Sequence, residues 1–175
     1  DSAIFFLSDH GDFAGDYGLP EKAQNCFEDC LVKVPFLVKP PKGEPLQPGI
    51  SDSLVELVDF YATAMAYAGA EPDHTQFGKH LGPVLASWEG RIRDYVFCEG
   101  GRMPGETHCD ESHINGPNGS PPVFAYWPRQ TAQREDDAHY KGTMILDGRY
   151  KYISRADGTD EFYDLEEDPG ERNNA

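Results

Sequence analysis

Asp9, His10 and Lys22 have the types and spacing for chemistry on an anion. A carboxylate next to an imidazole offers two ligands to a divalent cation, and an ammonium at the far end of a short loop adds a fixed positive charge. Together these are parts of a metal site facing an anionic substrate, where negative charge that develops on oxygen is stabilised by cations held in place. Taken alone, Asp-His-Gly is also ordinary turn punctuation at a strand end. The surroundings give it weight. Residues 3–7, A-I-F-F-L, are continuously apolar and read as a strand buried on both faces of a sheet. Ser8-Asp9-His10-Gly11-Asp12 then falls just past its C-terminal end, the edge at which open α/β sheets bind ligands. A loop containing Gly11, Gly15, Gly18 and Pro20 leads on to Lys22.

The elements that must hold these residues follow along the chain. Residues 23–31 suit a short helix or an irregular loop, and 32–38 a second strand in which Pro35 marks an edge or bulge. Residues 51–68 carry the clearest helical pattern. Ser51 or Asp52 can cap it, Glu56 lies in an early turn, and Gly69 stops it. Its apolar stripe, Leu54, Val55, Leu57, Val58, Tyr61, Met65 and Ala68, should cover one face of the sheet. Residues 95–99 read as a strand. The stretch 100–138 is long and irregular, with Phe124, Tyr126 and Trp127 suiting an ordered pocket wall. Asp147-Gly148 between two β-rich runs is a hairpin signal. The runs 95–99, 143–147, 149–154 and 161–165 predict a small four-stranded antiparallel sheet.

Composition narrows the partners. A net charge of −16 over 175 residues argues against nucleic acid and against an anionic membrane surface. An anionic small molecule stays compatible, because a metal ion and one or two lysines reverse the field inside a pocket. No apolar run approaches the roughly 20 residues of a membrane helix. Cys26, Cys30, Cys98 and Cys109 have neither disulfide-scaffold density nor zinc-ribbon spacing and read as buried or free thiols.

The ordered series Ser8-Asp9-His10-Gly11, Gly15-Asp16-Tyr17-Gly18-Leu19-Pro20-Glu21-Lys22 and Val34-Pro35-Phe36-Leu37-Val38-Lys39 resembles the sulfatase family of the alkaline-phosphatase-like superfamily. The segments 56–69 and 77–85 are similar to that family's covering helix and the connection after it. D-G-R-Y-K-Y-I at 147–153 and D-E-F-Y-D-L-E-E-D-P-G-E at 160–171 look like the C-terminal signature of bacterial sulfatases.

The resemblance implies an α/β fold, the C-terminal part of a sulfatase or alkaline-phosphatase-like fold with a small antiparallel sheet as subdomain. Residues 1–90 would end the catalytic α/β domain, and residues 91–175 would form the subdomain. It further implies that Asp9 and His10 are metal ligands and that Lys22 contacts sulfate. Calcium is the family's metal; magnesium or manganese are alternatives, and the imidazole also suits zinc. His139 and Lys141, just before the hairpin, are candidates to contact the rest of a substrate, as are Trp127 and Arg129. His108 and His113 read as solvated loop histidines.

The family's nucleophile, a formylglycine made from the first residue of Cys-x-Pro-x-Arg or Ser-x-Pro-x-Arg, has no counterpart in these 175 residues. Neither has the acidic pair that completes the metal shell. The expectation is therefore half an active site, completed by an N-terminal portion of the same protein and acting on a sulfated small molecule or glycan. The 175 residues alone should neither cleave sulfate esters nor hold calcium tightly. Two other readings stay open: a phosphonate or phosphate ester hydrolase of the same superfamily, and a non-catalytic C-terminal module. A nucleophile motif upstream would separate the enzymes from the module.

Overall fold

The computed structural model describes residues 2–23, 25–106 and 137–175. The expectations placed on Phe124, Tyr126, Trp127, Arg129, His108, Cys109 and His113 lie outside those residues. Strand β1 (Ile4–Leu7) pairs antiparallel with β2 (Phe36–Lys39), with Phe6 opposite Leu37. Between them lies a single helical turn, α1 (Asp29–Val32). Val32 to Pro35 therefore precede the second strand rather than opening it, as a residue without an amide proton at position 35 favours.

β1 does not have two buried faces, contrary to the sequence expectation. Phe5 packs edge-on against Phe60 at 4.9 Å between ring centroids, while Ile4, Phe6 and Leu37 are exposed on the opposite face. The reason is local: one face of the pair is covered by helix α2 (Val58–Ala68) and the other is open.

The helix expected over 51–68 forms only from Val58, and Gly69 ends it in a left-handed conformation. Polar side chains intercept its beginning. Ser53 donates its amide to Ser51 Oγ at 3.2 Å, and Glu56 donates its amide to Asp59 Oδ2 at 2.8 Å. The Glu56 carboxylate is drawn away to Arg93 and to the Phe97 amide. The face that α2 buries most deeply is also polar rather than the predicted apolar stripe. Asp59 and Thr63 are fully buried, one turn apart. Asp59 accepts from the Lys79 amide and from Arg93, and Thr63 Oγ1 accepts from the Leu81 amide. These bonds satisfy buried donors of the connection that runs through α3 (Gly82–Ala86) to the second sheet.

That sheet is four-stranded and antiparallel, in the order β3 (Val96–Gly100), β4 (Gly142–Leu146), β5 (Tyr150–Arg155), β6 (Glu161–Asp164). It is the sheet the alternation predicts, and Asp147-Gly148 makes the β4–β5 turn with Gly148 at φ +100°. Its inner face carries Met144, Ile153 and Tyr163, and Phe27 from the loop after Lys22 completes this core. The segment 25–29 is laid across that face. Arg155 donates to the Asn25 carbonyl, and Lys151 Nζ donates to the Phe27 carbonyl at 2.9 Å and to Asp29 Oδ1 at 2.7 Å.

The exposed turns of the sheet are acid-sensitive. Asp147 is held below the usual carboxylate range by the Tyr150 and Arg149 amides, Asp160 by the Tyr152 hydroxyl and the Arg155 amide, and Asp164 by the Arg149 side chain. A lowered folded-state value means stabilisation that is complete above the unfolded value of about 3.9 and is lost as pH falls from there through the lowered folded-state value. Denaturant midpoints are expected to drop below about pH 4. In Asp164→Asn that drop should be shallower, and an unchanged acid limb would show that Arg149 does not favour the ionised carboxylate.

Candidate active site

The end of β1 delivers three side chains to one place. Asp9 and His10 leave the strand, and the loop returns Lys22 so that its Nζ lies 2.7 Å from His10 Nε2. Asp9 Oδ2 is 3.8 Å from the same nitrogen, and Asp9 also accepts from the His10 amide at 3.0 Å. The Asp9 side chain is 88% exposed.

The His10 tautomer follows from its other contact. Nδ1 is 2.7 Å from the Gly11 carbonyl, which only accepts, so Nδ1 carries the proton. In the neutral ring Nε2 then presents a lone pair, and Lys22 donates to it. A histidine whose second nitrogen donates to a backbone carbonyl is in the state in which imidazoles ligate metals. The donor chemistry of Asp9 and His10 thus suits a divalent cation as part of its shell. It is only part: among the described residues no three His, Cys, Asp or Glu side chains converge. A hard cation such as calcium takes about six to eight oxygens.

Gly11 fixes the approach of this corner to α1. Its amide donates to the Leu31 carbonyl at 2.8 Å, and a Cβ at this position would sit 1.9 Å from the Cys30 carbonyl oxygen. Gly11→Ala must push two backbone segments apart, at a cost of about 1–3 kcal/mol by analogy with overpacking. A urea midpoint equal to that of the unsubstituted chain would contradict this contact.

Of the remaining candidates, His139 lies in a 3-10 turn (Asp137–His139) at the head of β4 and is 6% exposed. Its Nε2 has no hydrogen-bond partner among the described residues, while its carbonyl accepts from the Arg102 amide at 2.8 Å. Lys141 is half exposed and pairs with Glu99 at 3.2 Å. Asn25 joins this turn to the loop after Lys22 by donating to the Ala138 and Tyr140 carbonyls. The structure brings Asp9, His10 and Lys22 together and sets His139 and Lys141 beyond Asn25. The Cys26 thiol is pushed up to about 12 by burial, and burial also raises Cys30 and Cys98, which makes these thiols poor nucleophiles.

Sequence reasoning missed the buried Lys151. Strand alternation could have found it, since Tyr150 and Tyr152 face out while Lys151 shares the inner face with Ile153. It also missed Tyr17, whose hydroxyl donates to the Gly170 carbonyl at 2.8 Å. No local pattern announces a contact between positions so distant in sequence.

The α/β fold is that of the C-terminal part of sulfatases and alkaline-phosphatase-like proteins. The chain is similar to the multifunctional alkaline phosphatase superfamily protein PehA of Trinickia caryophylli, 29% identical over 176 residues that cover 99% of this chain and 30% of PehA. Among solved structures it matches the phosphonate monoester hydrolase of Agrobacterium radiobacter at 24% identity and TM-score 0.66, over 99% of this chain and 31% of that one. It also matches a 2-O GAG sulfatase at 24% identity and TM-score 0.65, over 98% and 31% of the two chains. A further match, at 22% identity and TM-score 0.64 over 98% and 29%, was solved with its substrate D-glucosamine-2-N,6-O-disulfate. The chain thus spans about 30% of the length of the relatives it matches. No family model matches it.

Proposed function

We propose that this chain is the C-terminal portion of a hydrolase of the alkaline phosphatase superfamily acting on sulfuric esters, with a sulfated glycan or small molecule as substrate. The observation that carries the reading is the convergence of Lys22 Nζ, the His10 Nε2 lone pair and the Asp9 carboxylate at the end of β1. In this reading Asp9 and His10 would hold a divalent cation, calcium by family resemblance, which would take the Nε2 lone pair in place of the Lys22 proton. When bound, that ion supplies Lewis-acid polarisation of ester oxygens. Lys22 holds an anionic oxygen by a compact charge with three donors. The nucleophile and the other ligands would come from an N-terminal portion of the protein, and the open Ile4, Phe6 and Leu37 face offers that portion an apolar surface. His139 and Lys141 are proposed to line the approach for the rest of the substrate.

A phosphonate or phosphate monoester substrate is the second reading, favoured by the likeness to the Agrobacterium phosphonate monoester hydrolase. The test uses the whole protein that contains this chain. It is assayed on 4-nitrophenyl sulfate and on a 4-nitrophenyl phosphonate monoester, with added calcium and after chelation. Faster turnover of the sulfate, lost on chelation, supports the lead reading, and preference for the phosphonate supports the second. Inactivity on both overturns the two together and leaves a non-catalytic module.

A further inference from the structure

Among the described residues, four non-glycine residues have a left-handed φ: Ala14, Tyr17, Asn25 and Glu171. Such conformations persist only where surrounding contacts over-determine them, and they gather at functional sites. Three lie in the segment that carries Lys22. The fourth, Glu171, sits far away in sequence and touches that same region.

We propose that the turn formed by residues 168–171 is a clamp that positions the Asp9–His10–Lys22 corner, with Glu171 and Tyr17 as positioning residues. The inference rests on the functional reading of that corner. Two connections carry it. Glu171 Oε1 accepts from the Asp29 amide at 2.9 Å, at the first residue of α1, which has no side-chain cap of its own. The other oxygen of Glu171 accepts from Lys151 Nζ at 2.8 Å, and the same ammonium binds Asp29 Oδ1. The helical turn so fixed presents the Leu31 carbonyl to the Gly11 amide, and the Gly11 carbonyl accepts from His10 Nδ1. Glu171 therefore reaches the imidazole through α1 and Gly11, by three hydrogen bonds joined through the backbone between them.

The second connection is Tyr17. Its hydroxyl donates to the Gly170 carbonyl at 2.8 Å and its ring packs edge-on against the fully buried Phe13, at 5.6 Å between centroids. Phe13 and Tyr17 belong to the loop between His10 and Lys22. That loop is gripped from the 168–171 turn at Tyr17 and from the protein interior at Phe13. A bulky residue in a strained backbone conformation, held at its tip by one polar bond, is arranged for position rather than for burial alone.

The experiment uses the whole protein, with Tyr17→Phe, Glu171→Ala and Glu171→Gln compared by kinetics and by amide hydrogen exchange of residues 11–22. Thr159→Ala, in the turn before β6, serves as a control for general destabilisation. Tyr17→Phe should speed exchange in 11–22 severalfold and lower kcat about fivefold with KM nearly unchanged. Glu171→Gln keeps an acceptor for the Asp29 amide, so it should recover part of what Glu171→Ala loses. Exchange in 11–22 equal to the unsubstituted protein in both Tyr17→Phe and Glu171→Ala overturns the clamp. So does a matching change in Thr159→Ala. If the unsubstituted protein hydrolyses neither ester, the functional reading fails, and the exchange comparison alone decides the clamp.

Discussion

Lys151→Met is expected to destabilise the fold by about 3–5 kcal/mol, the range for stranding buried charge by removal of its partner. The side chain is fully buried and all three of its protons are used, on the Phe27 carbonyl, Asp29 and Glu171. Methionine fills a similar volume but returns none of these bonds, and the Glu171 side chain, only 2% exposed, keeps a carboxylate without its counter-charge. For a chain of this length a loss of that size lowers the melting temperature by on the order of 10 °C. Pairing the change with Glu171→Gln removes the stranded charge and should restore part of the loss, because a buried pair replaced as a unit is far less costly than one broken. Thermal and urea unfolding of the two singles and the double measure this coupling. A Lys151→Met loss within about 0.5 kcal/mol, as at a surface site, would mean the network contributes nothing net.

Lys22→Ala is expected to behave in the opposite way. Lys22 is exposed, so its removal should leave stability within about 0.5 kcal/mol. In the whole protein, however, it should lower turnover about a hundredfold, near 3 kcal/mol, as loss of one preorganised donor to a developing oxyanion commonly does. The effect belongs to kcat, because charge on the transferred group's oxygens grows toward the transition state. Lys22→Arg should recover little, since a planar fork does not reproduce a compact ammonium facing an oxyanion. Asp9→Ala should differ from both by losing bound metal along with activity. Near-normal turnover in Lys22→Ala, with metal content unchanged, would reduce this lysine to a surface charge.

How much of this was legible depended on whether the determining contact was local. The second sheet was readable because alternation and Asp147-Gly148 fix a hairpin within a dozen residues, and β3 to β6 formed where those signals lay. The corner Asp9–His10–Lys22 was readable because one strand end and one short loop build it. The start of α2 was not, because Glu56 is claimed by Arg93 and by Phe97, both far along the chain. Nor was the burial of Asp59 and Thr63: a pattern of apolar residues shows where burial is favourable, but not that buried amides of a later connection need acceptors. The two-faced burial read into residues 3–7 is a related case. Five apolar residues in a row report that both sides of a strand can be covered, and in this chain α2 covers one of them.

The Tyr17–Gly170 bond spans 153 positions and the Lys151–Phe27 bond 124. Contacts of such range close large loops before they return any energy, so they form late. During synthesis the corner with Asp9 and His10 emerges long before the residues that brace it. In the clamp proposed above, its bracing bonds wait until Glu171 has left the ribosome. A nascent chain stopped before Gly170 would then carry every side chain of the corner and still lack these bracing bonds. Competence of the corner is thereby tied to a turn made much later in synthesis than the side chains it braces.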